Sequence, residues 1–281
     1  MSSKTGILWV TATPLGNPGD LSPRAASVLA AVDGVLAEDT RRAGRLFAVC
    51  GLSPPPFTSL HDHNEDERLD ALLARLRAGE QLALVSDAGT PLLSDPGFRL
   101  VRACRKEGIA VSPLPGPFAA AAALSVCGLA PQPFVFLGFA PRKEAERRAF
   151  FLPFADLAAT LVFYERKDRL RATLSVAGDL LGAREGCLAR EMTKTHEEFI
   201  FFRLPDLLDL PEEPLGEITV IIGPPEQPSR STEEEVDALL LEEGAAGGGA
   251  REAARRVMER ASGWTRKEIY GRMQRGRGQK A

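Results

Sequence analysis

Residues 82–97 read Leu82-Ala83-Leu84-Val85-Ser86-Asp87-Ala88-Gly89-Thr90-Pro91-Leu92-Leu93-Ser94-Asp95-Pro96-Gly97. A short apolar run, Leu82–Ser86, enters a loop dense in glycine, proline and small polar residues. A helical pattern, Gly97–Glu107, leaves the loop, and Gly108 stands where a helix C-cap is expected before a second apolar run, Ala110–Leu114. Strand, loop, helix and strand at this spacing form the repeating unit of a parallel sheet. Toward the N-terminus the unit recurs. Strands Ile7–Thr13, Gly34–Ala37 and Phe57–Leu60 alternate with helices Ser22–Val32, Arg41–Cys50 and Glu65–Ala78. Ser22-Pro23 pairs a capping hydroxyl with a proline suited to the first helical turn, and Gly79 is placed as a C-cap. The first 130 residues therefore predict a mostly parallel, doubly wound sheet.

Toward the C-terminus, alanine-rich Phe118–Val126 reads as a buried helix ended by Gly128, with Leu129–Pro133 as linker. Strands are expected at Phe134–Gly138, Thr160–Tyr164, Gly186–Ala189, Phe199–Arg203 and Ile218–Ile222, and helices at Lys143–Pro153 and Lys167–Leu181. Pro224-Pro225 closes this region. Beyond it, short helices interrupted by Gly244–Gly249 are expected. The predicted organisation is an α/β domain over 1–129, a second α/β domain over 130–225, and a linker with a small helical tail over 226–281.

Three loops follow predicted strand ends on one edge of the first sheet, where open α/β sheets hold ligands. They are Thr13–Asp20, Ser86–Gly97 and Leu114–Ala119, each rich in glycine and proline that let a ligand approach backbone groups. None is GxGxxG or GxxxxGK[ST], which argues against a standard dinucleotide site or a P-loop. Bulk properties narrow the classes further. The 281 residues are 44% hydrophobic, enough for a sizeable core, yet no apolar run nears the roughly 20 residues of a bilayer span. No signal-peptide pattern opens the chain, and four scattered cysteines fit a reducing cytoplasm. Three histidines without HExxH or a His/Cys cluster make no case for a metal. Residues 251–281 carry ten basic and three acidic side chains, net +7, leaving −10 on the other 250. A basic tail on an acidic body suggests a polyanionic partner, with a merely solubilising tail as the plainer alternative.

Thr11-Ala12-Thr13-Pro14-Leu15-Gly16-Asn17, Glu38-Asp39-Thr40-Arg41, His61-Asp62-His63-Asn64-Glu65, Ser86–Pro91 and Pro115-Gly116-Pro117 occur in that order, followed by Arg190-Glu191-Met192-Thr193-Lys194 and Gly216-Glu217-Ile218. As an ordered set they resemble the bacterial small-subunit ribosomal RNA ribose-2′-O-methyltransferases of the tetrapyrrole methylase superfamily. The resemblance covers about residues 6–223, with a weaker echo at Gly263–Tyr270. It implies two α/β domains with S-adenosylmethionine in the cleft between them, a homodimer, and a target ribose on a cytidine at the decoding site of the small ribosomal subunit. The cofactor is then expected on Pro14, Leu15 and Gly16, on Asp87, Ala88, Gly89, Thr90, Pro91 and Ser94, on Phe118 and Ala119, and on Tyr164 and Arg190. Two segments depart from the family pattern. Phe118 replaces the serine of Pro-Gly-Pro-Ser, and Arg166-Lys167-Asp168 replaces Ser-Pro-His after Tyr164-Glu165.

Methyl transfer from a sulfonium is an in-line displacement, and a ribose hydroxyl attacks better with a base beside it. His61, Asp62 and His63, leaving the third strand on the ligand edge, are the candidate catalytic residues; capping by Asp62 and phosphate binding by the histidines are the alternatives. Asp39 is read as a helix cap rather than a catalyst. Arg41 and Arg42, Lys194, and Arg266 and Lys267 of the tail are candidate RNA contacts, against solvated charges or a salt-bridge cluster around Arg190, Glu191 and Lys194. Trp264 is expected to pack the tail together. The competing functions are a small-molecule tetrapyrrole methylase and a non-catalytic RNA-binding assembly factor.

Overall fold

The computed structural model describes residues 6–208, 210–211, 216–226, 231–245 and 249–278. The first sheet is built from β1 (Ile7–Thr11), α1 (Pro23–Leu29), β2 (Gly34–Ala37), α2 (Thr40–Val49), β3 (Phe57–Ser59), α3 (Glu65–Arg77), β4 (Gln81–Val85), α4 (Phe98–Lys106) and β5 (Ala110–Leu114). Its order is β3-β2-β4-β1-β5 and every pairing is parallel. All C-terminal strand ends therefore share one edge, as the sequence predicts. Helices cover both faces: α3 and α4 pack over Leu8, Leu36 and Leu84, while Phe47 of α2 and Leu29 of α1 pack over Val35, Ala83 and Val85. The α3 stripe Leu69, Leu72, Leu73 and Leu76 has i, i+3, i+4, i+7 spacing; its last three members are buried, each contributing roughly 1.5–3 kcal/mol of transfer free energy. Ser22 caps α1 through its Oγ, which accepts from Ala25 N at 3.1 Å.

α5 (Ala119–Val126) leads to the second sheet: β6 (Phe134–Phe139), α6 (Glu144–Phe151), β7 (Thr160–Glu165), α7 (Leu170–Leu181), β8 (Arg184–Arg190), β9 (Glu198–Leu204) and β10 (Ile218–Ile222). The order is β6-β7-β10-β8-β9, parallel only between β6 and β7. The last strand in sequence is thus the central one, and all five of its residues are buried. α6 and α7 cover one face around Phe151, Phe163 and Leu174. α5 covers the other, with Ala120, Ala123 and Leu124 against Val162, Cys187 and Ile221. α5 thus follows the first sheet in sequence but packs on the second.

By compactness the chain divides into residues 1–225, which hold both sheets, and 226–281. The latter is helical: α8 (Glu233–Ala245), α9 (Ala250–Arg260) and α10 (Arg266–Gly278) enclose Val236, Ala254, Val257 and Ile269. Trp264 packs on this small core and its Nε1 donates to Ser231 O at 2.7 Å, the packing role expected of it. Among the described residues no helix is long and apolar enough to cross a membrane.

Candidate active site

The ligand edge of the first sheet is assembled by hydrogen bonds between its loops. Thr13 and Gly89 exchange backbone bonds, Thr13 N to Gly89 O at 2.8 Å and Gly89 N to Thr13 O at 3.0 Å. Thr13 Oγ1 donates to Ser86 O at 3.2 Å, and Thr90 Oγ1 donates to Pro117 O at 2.9 Å, which ties in the loop after β5. Gly89 takes φ +83°, a left-handed conformation that few side chains tolerate. Gly97, at φ +115°, lies where a Cβ would meet Leu84 Cδ2 at 2.4 Å.

These loops form one wall of a cavity of about 610 Å³, and the loops and strand ends of the second sheet form the other. The first wall presents Leu15, Glu38, Asp87–Thr90, Leu93–Asp95, Phe118 and Ala119. The second presents Phe139, Tyr164–Asp168, Met192 and Gly216–Thr219. Apolar surface alternates with carboxylates. Burial pushes the Asp95 carboxyl up to about 7, helped by the charges of Glu38, Asp87 and Asp62. Glu38 and Asp87 are likewise raised, mainly by burial, with Arg42 opposing; its Nη1 lies 3.0 Å from Asp87 Oδ2. Tyr164 is pushed up to about 12 by burial and then by Asp95. Carboxylates whose charge is penalised in this way make a site that gains stability by accepting a cation. S-adenosylmethionine fits this requirement: it carries a sulfonium and an ammonium, and its adenine suits the apolar lining.

The second wall is rigidly backed. The Glu165 carboxylate, fully buried, accepts from Arg166 N at 2.7 Å, from Arg169 and from Thr173 Oγ1. Buried Arg147 donates to the same Thr173 at 3.3 Å. Phe118, Phe136, Tyr164 and Phe139 follow one another edge to face, with centroids 5.0–5.2 Å apart. This gives Phe118 a packing role at the position where the family pattern has serine. The cap residue Phe118 has no side-chain hydrogen bond to offer.

Of the residues expected to hold cofactor, Leu15, Asp87, Ala88, Gly89, Thr90, Ser94, Phe118, Ala119 and Tyr164 line the cavity, whereas Pro14, Gly16, Pro91 and Arg190 do not. Arg190 is engaged with Glu198 at 2.5 Å. Lys194 bridges Glu191 at 3.0 Å and Glu217 at 3.1 Å, and its stem lies against Gly16, where a Cβ would meet Lys194 Cγ at 2.3 Å. With Thr193 Oγ1 accepting from Asn17 N at 3.1 Å, the 190–194 segment fastens the first loop to the second wall. His61, Asp62 and His63 do not line the cavity. The two imidazoles face each other edge-on at 6.1 Å, near enough for His61 and Asp62 to act electrostatically on Glu38. Asp62 is not the helix cap: Asn64 holds that place, and its Oδ1 accepts from His61 N at 2.8 Å. Asp39 does cap α2, accepting from Arg41 N at 2.9 Å and pairing with the Arg41 guanidinium. Sequence reasoning passed over Glu38, Asp95 and Met192 as cavity residues. The two acids stand at strand and loop ends on the predicted ligand edge, which was the available signal.

The helical unit 226–281 corrects the picture of a basic tail. Residues 226–250 carry seven acidic side chains against one basic, so the unit sums to +1. Within it Arg256 and Arg260 pair with Glu243, Arg272 with Asp237, and Arg255 with Glu259. Arg251, Arg266 and Lys267 gather without acidic partners among the described residues, next to Tyr270, with the Arg266 guanidinium 5.7 Å from the Tyr270 ring centroid. Arg275, Arg277 and Lys280 are not described here at side-chain level.

Residues 8–208 match the family of tetrapyrrole (corrin/porphyrin) methylases. The chain is 45% identical over 227 residues to "Ribosomal RNA small subunit methyltransferase I" of Haemophilus influenzae, covering 79% of this chain and 80% of that one. It is 49% identical over 196 residues to the protein of the same name from Xylella fastidiosa, covering 69% and 71%. Among solved structures, the methyltransferase CobJ shares the fold at TM-score 0.61 and 18% identity, over 80% of this chain and 97% of that one.

Proposed function

The chain belongs to the tetrapyrrole methylase family, among the ribosomal RNA small subunit methyltransferases I, and from that premise we propose that it transfers a methyl group from S-adenosylmethionine to the ribose 2′-oxygen of a cytidine in the decoding region of small-subunit ribosomal RNA. The observation that carries the reading is the acidic, partly apolar cavity between the two sheets, in a chain so similar to proteins named for that RNA. Leu15, Asp87–Thr90, Ser94, Asp95, Phe118, Ala119 and Tyr164 are the residues that would hold the cofactor, which supplies an electrophilic methyl group. The chain's own task is to orient the hydroxyl, keep competing water out and accept a proton.

Arg41 is exposed beside the edge that carries the cavity, and Arg251, Arg266 and Lys267 are free to meet phosphate. Together they are the proposed RNA contacts. Lys194 is half-buried between Glu191 and Glu217, and Arg42 is tied to the cavity residue Asp87, which favours structural roles for them; Arg41 pairs only with its own helix cap, Asp39, and stays 85% exposed. A cytoplasmic homodimer completes the reading; exposed Phe98, Phe134 and Phe201 are apolar surface that a second copy would cover.

The test uses purified protein, methyl-labelled S-adenosylmethionine and small ribosomal subunits lacking the modification, followed by digestion and mass spectrometry of the labelled nucleoside. Label on 2′-O-methylcytidine is the expected result. Label on a base, or none on RNA while the protein still binds cofactor, refutes the reading.

A further inference from the structure

Six acidic residues line the cavity, and four of them are engaged: Asp87 with Arg42, Glu165 with Arg169 and Thr173, Asp168 with Arg166, and Glu217 with Lys194. The side chains of Asp95 and Glu38 accept no hydrogen bond and make no ion pair among the described residues. They differ in depth. Asp95 is half-buried and close enough to Tyr164 to raise its pKa, whereas Glu38 is exposed at the mouth. A ribose within a folded RNA can enter only from the mouth, while the small donor occupies the interior. A group that takes the hydroxyl proton must lie within hydrogen-bond reach of it, and so on the mouth side.

Glu38 follows β2 directly, on the ligand edge between the ends of β3 and β4, and titratable and charged groups face it from every neighbouring element. Asp87 and Asp95 approach from the loop after β4, His61 and Asp62 from the loop after β3, and Arg42 from α2. We propose that Glu38 is the catalytic proton acceptor for the ribose 2′-hydroxyl, an inference that rests on the function proposed above. The hydroxyl proton passes to a Glu38 carboxylate oxygen as the 2′-oxygen forms its bond to the methyl carbon. The bond from that carbon to sulfur breaks, and its electron pair stays on sulfur, cancelling the sulfonium charge. Protonated Glu38 then returns its proton to solvent at the mouth. Burial and the charges of Asp87 and Asp62 make the carboxylate a stronger base than an ordinary glutamate, with Arg42 and His61 opposing the shift. This placement also explains why the His61–His63 segment stands beside the cavity without lining it: it shapes the field around Glu38.

The experiment compares wild type, Glu38→Gln and Glu38→Asp in single turnovers on unmodified small subunits across pH 5 to 8.5. Cofactor affinity is measured by calorimetry and subunit affinity by filter binding. The expected result is a fall of about 100-fold or more in the rate for Glu38→Gln. Both affinities should stay within about threefold of wild type, and Glu38→Asp should recover part of the rate. At cofactor concentrations saturating throughout the pH range, the wild-type rate should drop on the acid side as Glu38 protonates, and that limb should be missing in Glu38→Gln. A Glu38→Gln rate within about tenfold of wild type with the acid limb intact overturns the inference, as does loss of cofactor affinity in both variants. If wild type itself yields no 2′-O-methyl nucleoside, the proposed function has failed and this inference falls with it, an outcome read from the wild-type product alone.

Discussion

Asp95 stands at the midpoint between acid and carboxylate at neutral pH, because burial and three neighbouring acids penalise its charge. A folded-state value of about 7, against 3.8 for the free side chain, gives a definite sign. Stability that the group contributes is complete at low pH and is lost as pH rises through about 7. A bound cation reverses that penalty. S-adenosylmethionine should therefore bind more tightly as pH climbs toward 7. Binding at pH 6 should release close to one proton, and binding at pH 8.5 almost none. Calorimetry in buffers of different ionisation enthalpy reads the proton count directly, and Asp95→Asn should abolish it. Gly97 makes a second prediction at this scale. Alanine there faces both φ +115° and Leu84, and should cost on the order of 2–4 kcal/mol in denaturant unfolding. The glycine was legible as a loop residue, but its collision with Leu84 was not, because that contact depends on how α4 lies over β4.

Helix ends and strand pairings divide cleanly into what local sequence determines and what it leaves open. Ser22-Pro23 announces the start of α1 because a cap is a matter between residues three apart; Ser22→Ala should cost about 1 kcal/mol in thermal or denaturant unfolding. The start of α4 is different. Its cap residue, Gly97, has no side chain, and the carboxylate that serves the helix is Glu65 of α3. Buried Glu65 accepts from Leu100 N at 2.9 Å and from Gly97 N at 3.4 Å. A Glu65→Ala change strands two buried donors and should destabilise by about 1–3 kcal/mol. It should also weaken cofactor binding by loosening the loop that carries Asp95. Near-normal calorimetric affinity in a folded Glu65→Ala protein would refute that coupling. The strands of the second sheet were legible within a few residues, from apolar runs alone. Their antiparallel order was not, since β10 pairs with strands more than 25 residues away and no local signal encodes a partner.

At the scale of the whole chain, charge in three dimensions narrows what net charge along the sequence suggests. Much of the +7 of residues 251–281 is answered by the acidic α8, and among the described residues a patch around Arg251, Arg266 and Lys267 is left for an outside anion. Replacing those three by alanine should reduce the slope of log RNA affinity against log salt by roughly two to three units, whereas Arg255→Ala should leave it unchanged. Filter binding over a salt series measures both. The parallel first sheet and its ligand edge could be inferred from strand–helix alternation. Of the cavity's far wall the sequence, through its resemblance, named Tyr164; the rest was not legible, being drawn from four separated stretches of the second sheet.

The position of β10 has a consequence for biosynthesis. It is the last strand made and the central strand of its sheet, and Ile218 and Thr219 at its start face the cavity. A nascent chain can complete the first sheet, and even display Leu15 and Asp87, long before this strand emerges. Until it takes its place between β7 and β8 the second wall lacks Ile218 and Thr219 and the strand that joins its two halves. The methyl-donor cavity is therefore complete only once the C-terminal end of the second sheet has been made.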